Sequence, residues 1–122
     1  MRKRTIERNN YYGNLLKGQF KKGDNVLDVG LGDGYFADYL RERYSISITG
    51  LDVVNVNKTR IRNVIYEGNT FPFEDHSFDV SLIWATLHHC ENYEKVLKEA
   101  KRVSKRIIIG DSAFRNPFEK FV

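Results

Sequence analysis

Residues Asn25-Val26-Leu27-Asp28-Val29-Gly30-Leu31-Gly32-Asp33-Gly34-Tyr35-Phe36 run from an apolar strand, through one carboxylate, into three alternating glycines and then a helix. Glycine reaches positive φ and lets another group approach the backbone closely. Gly30, Gly32 and Gly34 therefore mark a strand-to-helix turn on which a ligand can lie, beside the N–H groups that open the helix. The spacing then selects among ligands. A dinucleotide fingerprint G-x-G-x-x-G requires glycine at position 35, where Tyr35 stands, and a Walker loop requires Gly-Lys-Ser/Thr, which is absent. Pyrophosphate binding is disfavoured, and the turn reads as a nucleoside-cofactor loop.

With 122 residues, 41% of them hydrophobic and 30% charged, the chain has the balance of one folded domain, 1–122, with 1–22 as an N-terminal helical segment. Arg2-Lys3-Arg4 is followed by no apolar segment, and the run around Leu82 to Leu87 is far too short to span a membrane. Cys90 stands alone, which rules out an intramolecular disulfide and a Cys-rich metal site; we expect no metal and a reducing, cytoplasmic setting. Net charge is +4, with basic residues at the N-terminus, at Lys21-Lys22 and from Lys95 to Arg106. They form either solvated helix faces or a patch for nucleic acid or an acidic partner; no zinc knuckle or aromatic-rich RNA-binding signature supports the patch.

Tyr12, Leu15, Leu16 and Phe20 recur at helical spacing and predict a helix in the first twenty residues, closed by the Lys22-Gly23-Asp24 turn. Strands are expected at Asn25 to Val29, Ile46 to Asp52, Asn63 to Tyr66, Phe78 to Trp84 and Arg106 to Ile109. A helix after Gly34 should bury Tyr35, Phe36, Tyr39 and Leu40 and end near Tyr44. Another should carry a stripe of Tyr93, Val96, Leu97, Ala100 and Val103, capped by Asn92. Residues 53–62 leave room only for a very short or irregular crossover. Alternating strands and helices imply an α/β, doubly wound parallel sheet, with the nearly continuous apolar strand from Phe78 inside it.

Ligands of such sheets bind beyond the carboxyl ends of the strands. The polar residues gather there: Asp28 with the glycine turn after the first strand, Asp52 after the second, Glu67-Gly68-Asn69-Thr70 after the third, and Trp84 to His89 after the fourth. Asp52 lies 20 residues beyond Gly32, the distance at which a carboxylate accepts hydrogen bonds from both ribose hydroxyls.

These elements resemble the class I S-adenosylmethionine-dependent methyltransferases from about Asn25 to Asp111. Asp28-Val29-Gly30-Leu31-Gly32-Asp33-Gly34 is similar to that family's acidic-x-Gly-x-Gly-x-Gly element, and Asp52 to its ribose-binding acid. The run Glu67 to Val80, with Leu87-His88-His89 and Leu97 to Val103, resembles the branch that includes ubiquinone- and menaquinone-pathway methyltransferases. The resemblance implies a Rossmann-like sheet of order 3-2-1-4-5 and S-adenosylmethionine as cofactor. On this reading the backbone N–H groups of the glycine turn meet the methionine carboxylate and Asp28 faces the ammonium. Asn69 accepts from the adenine amino group, the Thr70 N–H meets a ring nitrogen, and Val53 and Leu51 cover the ring. Trp84 is placed at the floor of the crevice, as packing or as ligand contact.

Methyl transfer is an in-line displacement, so a base is needed only where the acceptor must lose a proton. His88 and His89 are the candidates, with loop packing as the alternative; His76 is expected to face solvent and Cys90 to be a small buried hydrophobe. The chain departs from the family pattern in three places. Ser104-Lys105-Arg106 replaces Pro-Gly-Gly and should make a tighter turn, the crossover after Asp52 is short, and the residues after Asp111 are too few for the family's C-terminal antiparallel hairpin. We therefore expect methyl transfer to a small-molecule acceptor, with a noncatalytic cofactor-binding or partner-binding module and an NAD-type Rossmann module as rivals. The fifth strand is expected to be covered by Ala113 to Val122 or paired in a homodimer, with a charged, monomeric edge guarded by Lys105 and Arg106 as the alternative.

Overall fold

The first strand, β1 (Asn25–Val29), sits in the middle of a five-stranded parallel sheet, because four of its five residues are buried and strands pair with it on both sides. The computed structural model describes residues 2–84 and 90–110. Around β1 stand α1 (Lys3–Leu15), α2 (Tyr35–Tyr44), β2 (Ser47–Asp52), β3 (Asn63–Ile65), β4 (Phe78–Trp84), α3 (Tyr93–Val103) and β5 (Ser104–Gly110). The sheet order is β3-β2-β1-β4-β5. The order reverses between β1 and β4, so the chain departs from their carboxyl ends in opposite directions and leaves a crevice there.

Side-chain alternation divides the core between the faces. Leu27, Val29, Ile83, Ile107 and Ile109 point to one layer with Val96, Ala100 and Val103 of α3. Val26, Val80, Leu82 and Ile108 point to the other with Leu16 and Leu40. Each such side chain, fully removed from water, contributes about 1.5 to 3 kcal/mol. Asp28 shares the parity of Val26, so its carboxylate lies on the α1 and α2 side near the crevice.

Local chemistry sets the ends. α3 starts where the Asn92 side chain accepts from the Lys95 N–H at 3.2 Å, and Glu94 near its start and Lys101 and Arg102 near its end complement the helix dipole. α2 ends at Ser45, whose φ of 53° turns the chain toward β2.

Several expectations change. α1 ends at Leu15, and Phe20 lies beyond it against Tyr44. α2 buries Ala37 and Leu40, while Tyr35, Phe36 and Tyr39 are only partly covered. Tyr93 is exposed, and the buried stripe of α3 carries Glu99 instead. No turn forms at Ser104-Lys105-Arg106: α3 passes straight into β5, with the Ser104 hydroxyl donating to the Ala100 carbonyl at 2.5 Å. Residues 53–62 form no helix; a knot of side chains shapes them, with Asn57 Nδ2 donating to Ile61 O at 2.7 Å and Thr59 Oγ1 to Asn57 Oδ1 at 2.7 Å. His88, His89 and the segment Ala113 to Val122 lie outside the described residues, as does any cover they give β5.

Candidate functional site

The glycine turn is tied to β2 before it reaches α2. Gly30 N–H donates to Leu51 O at 2.7 Å, and Gly32 N–H donates to Asp52 Oδ2 at 3.0 Å. The second bond crosses 20 residues of sequence and fixes the turn to the end of β2. Asp52 Oδ1 accepts from the Val53 N–H at 2.8 Å, so the carboxylate is held rigidly with half of its four lone-pair positions still available. The Asp33 side chain accepts from the Tyr35 N–H at 3.0 Å and opens α2.

The three glycines have positive φ, 84° at Gly30, 62° at Gly32 and 86° at Gly34, but they serve different ends. A Cβ on Gly32 would meet nothing within 4 Å, so its backbone borders open space. A Cβ on Gly34 would stand 2.6 Å from Asn57 Oδ1 and 2.7 Å from Thr59 Oγ1. The chain's own crossover thus requires a glycine at 34, whatever a ligand does there.

Asp28 is 5% exposed, and its side chain makes no hydrogen bond within the described residues. Burial, reinforced by the nearby charge of Asp52, pushes its carboxyl up to about 7. A buried, unpaired carboxylate at the end of a central strand is costly, and a cation placed against it relieves that cost.

Past β3 the chain folds around Glu67, whose Oε1 accepts from the Asn69 N–H at 3.1 Å and the Thr70 N–H at 2.7 Å. The Thr70 N–H is therefore engaged within the loop, and a ring nitrogen reaches it only by displacing Glu67. Asn69 is exposed and its side chain makes no hydrogen bond among the described residues. Val53, 53% exposed, stands beside Gly68, where a Cβ would lie 3.5 Å from Val53 Cγ1. Leu51 is fully buried and reaches no open surface.

A clamp that the sequence reading did not anticipate holds this loop. Glu99, 4% exposed on α3, accepts from the Phe71 N–H at 2.9 Å and from Arg102 Nε at 2.8 Å. Arg102 in turn donates to the carbonyls of Phe71 and Phe73 at 2.9 and 2.8 Å and to Asp75 at 2.9 Å. Hydrogen bonding from Arg102 is the main cause that holds the Glu99 carboxyl below its usual range. A charge inside an otherwise apolar helical stripe, with an opposite charge three residues on, is the sequence signal for such a pair.

On the α1 and α2 side, Trp84 packs against Tyr12 at 5.5 Å and Phe36 at 6.1 Å between ring centroids, and its ring covers Gly110 so closely that a Cβ there would lie 2.3 Å away. Trp84 is part-buried. Cys90 is partly buried against the core, and His76 is exposed with φ of 53°. Among the described residues no helix is long and apolar enough to cross a membrane.

Comparison with known proteins fits this geometry. The family described as "Methyltransferase domain" matches residues 27–107. An uncharacterized protein of Methanocaldococcus jannaschii is 38% identical over 98 residues, covering 78% of this chain and 47% of its own length. A sarcosine/dimethylglycine N-methyltransferase of Aphanothece halophytica is 30% identical over 110 residues, covering 80% of this chain and 39% of its own. The crystal structure of a SAM-dependent methyltransferase from Aquifex aeolicus superposes with a TM-score of 0.64 at 29% identity, covering 75% of this chain and 56% of that one. The chain spans about half the length, or less, of these curated relatives. A match from the middle of β1 into β5, over the glycine turn and its tie to Asp52, places the chain in the methyltransferase-domain family, whose cofactor is S-adenosylmethionine.

Proposed function

We propose that the crevice at the carboxyl ends of β1, β2 and β4 binds S-adenosylmethionine and that the chain supports methyl transfer to a small-molecule acceptor. One observation carries the reading: an open glycine backbone at Gly32, bonded to the half-used carboxylate of Asp52, follows by four residues the buried Asp28, whose carboxylate has no partner among the described residues and feels the charge of Asp52. The residues fit the group. Asp28 faces the ammonium, and the turn from Gly30 to Gly34 offers its backbone to the amino-acid end. The remaining lone pairs of Asp52 accept the two ribose hydroxyls. Val53 covers one face of the adenine, and the Asn69 side chain meets its amino edge.

When bound, the cofactor supplies a methyl group on a sulfonium. The protein's part is to orient donor and acceptor and to keep water away, which the rigid tie between Gly32 and Asp52 and the aromatic wall of Tyr12, Phe36 and Trp84 support. His88 and His89 follow β4 in sequence and are the proposed bases for an acceptor that must lose a proton. Calorimetric titration with S-adenosylmethionine, S-adenosylhomocysteine and NAD tests the assignment. We expect the first two to bind and NAD not to. Binding of NAD alone refutes the reading, and cofactor binding without turnover on any acceptor reduces it to a binding module.

A further inference from the structure

Among the described residues β3 is an outer strand, paired only with β2. Gly50 N–H donates to Arg62 O at 2.8 Å and Tyr66 N–H to Asp52 O at 3.0 Å. In a parallel ladder this alternation turns the even-numbered residues of β3 toward β2, so the N–H and C=O groups of Asn63 and Ile65 face outward from the sheet. The irregular crossover runs beside that edge, with Asn63 Nδ2 3.4 Å from Asn55 Oδ1. Where a crossover helix would bury its own apolar side, Val54, Val56 and Ile65 remain 56%, 53% and 45% exposed. Lys58, Arg60 and Arg62 lie between them in sequence, are exposed, and make no ion pair among the described residues.

We propose that this edge docks an acidic, extended segment of a protein partner, which adds a strand to β3. Its carboxylates meet Lys58, Arg60 and Arg62, and its apolar side chains cover Val54, Val56 and Ile65. Three features select this occupant. The outward N–H and C=O groups fit another strand, the mode of recognition in which the backbone gives affinity and alternate side chains give specificity. A second copy of the chain presenting the same edge would set the three cations against themselves, a common guard against self-pairing. A nucleic acid would satisfy the cations but leave the valines and the outward backbone groups unserved. The inference is independent of the cofactor reading, since none of these residues is assigned to the crevice.

The test pans a displayed library of random short peptides against the full chain, with counter-selection on the Arg60→Glu/Arg62→Glu variant. We expect enriched peptides to alternate acidic and apolar residues. They should bind the variant about tenfold or more weakly and slow amide exchange at Asn63 and Ile65 of the native chain. The variant should keep its melting temperature and its S-adenosylmethionine affinity, which separates lost docking from lost folding. A second variant, Val54→Ser/Ile65→Ser, should weaken the same peptides without altering net charge. No enrichment over the variant, enrichment of basic or uncharged sequences, protection away from β3, or tighter binding of a single-stranded oligonucleotide than of any selected peptide each overturns the proposal.

Discussion

Asp28→Asn isolates the buried carboxylate that has no partner among the described residues. The native side chain is 5% exposed, and burial first, then the charge of Asp52, pushes its ionisation from 3.8 to about 7. A displacement of that size corresponds to an upper bound of about 4 kcal/mol between the two protonation states. The sign follows from proton counting. Below 3.8 the carboxyl is protonated in both folded and unfolded chains; between 3.8 and about 7 only the folded chain keeps its proton, so stability falls as pH rises through this window, and above about 7 the whole loss is present. Asparagine does not titrate. The variant's advantage in unfolding free energy should therefore grow from about pH 4 to about pH 7 and then level off, reaching roughly 1 to 4 kcal/mol. Urea unfolding of both proteins across that range measures it. The same substitution should weaken S-adenosylmethionine binding, because the ammonium loses its counter-charge. Parallel pH profiles, or a variant less stable than the native chain at about pH 8, would show that Asp28 is neither desolvated nor strained by Asp52.

Other perturbations address the rest of the crevice. The Cβ of Gly32→Val meets no atom within 4 Å, so its positive φ should be the main cost, about 1 to 2 kcal/mol of stability, while cofactor affinity drops beyond detection; retained affinity in calorimetry would remove the backbone cradle. Asp52→Ala should weaken cofactor binding by about 1 to 3 kcal/mol and speed amide exchange at Gly32, and unchanged affinity would end its ribose assignment. Arg102→Ala leaves Glu99 buried without its partner and should cost about 2 to 4 kcal/mol in thermal or urea unfolding, with rapid exchange at the Phe71 amide. Because Arg102 holds the Glu99 carboxyl below its usual range, that contribution is present above 4.5 and disappears as pH falls through the lowered value, so the gap between native and variant proteins should narrow in acid to what the two carbonyl bonds supply.

The strand order and the crevice were legible because their causes are local. The apolar strands, the Asn92 cap and the glycine turn each act within a few residues, and Asp52 is marked by its distance from Gly32. Long-range partners were not. Gly34 looked like a ligand glycine, yet its lack of a side chain serves Asn57 and Thr59, whose seat on it depends on a crossover with no periodicity. Thr70 was assigned a free N–H because nothing in the sequence shows the Glu67 carboxylate turning back on its own loop. The basic run through Arg102 suggested a solvated face, but that guanidinium instead gathers two carbonyls and two carboxylates.

Trp84 is the sole tryptophan of the chain, and it stands at the carboxyl end of β4 with Tyr12 and Phe36 beside it and Gly110 beneath. The native protein thus carries a built-in optical reporter at the end of β4, where the proposed crevice opens. A change in indole emission during a titration needs no label to be located, and the part of tyrosine-to-tryptophan energy transfer lost in a Tyr12→Phe variant would register movement of the N-terminal helix against β4.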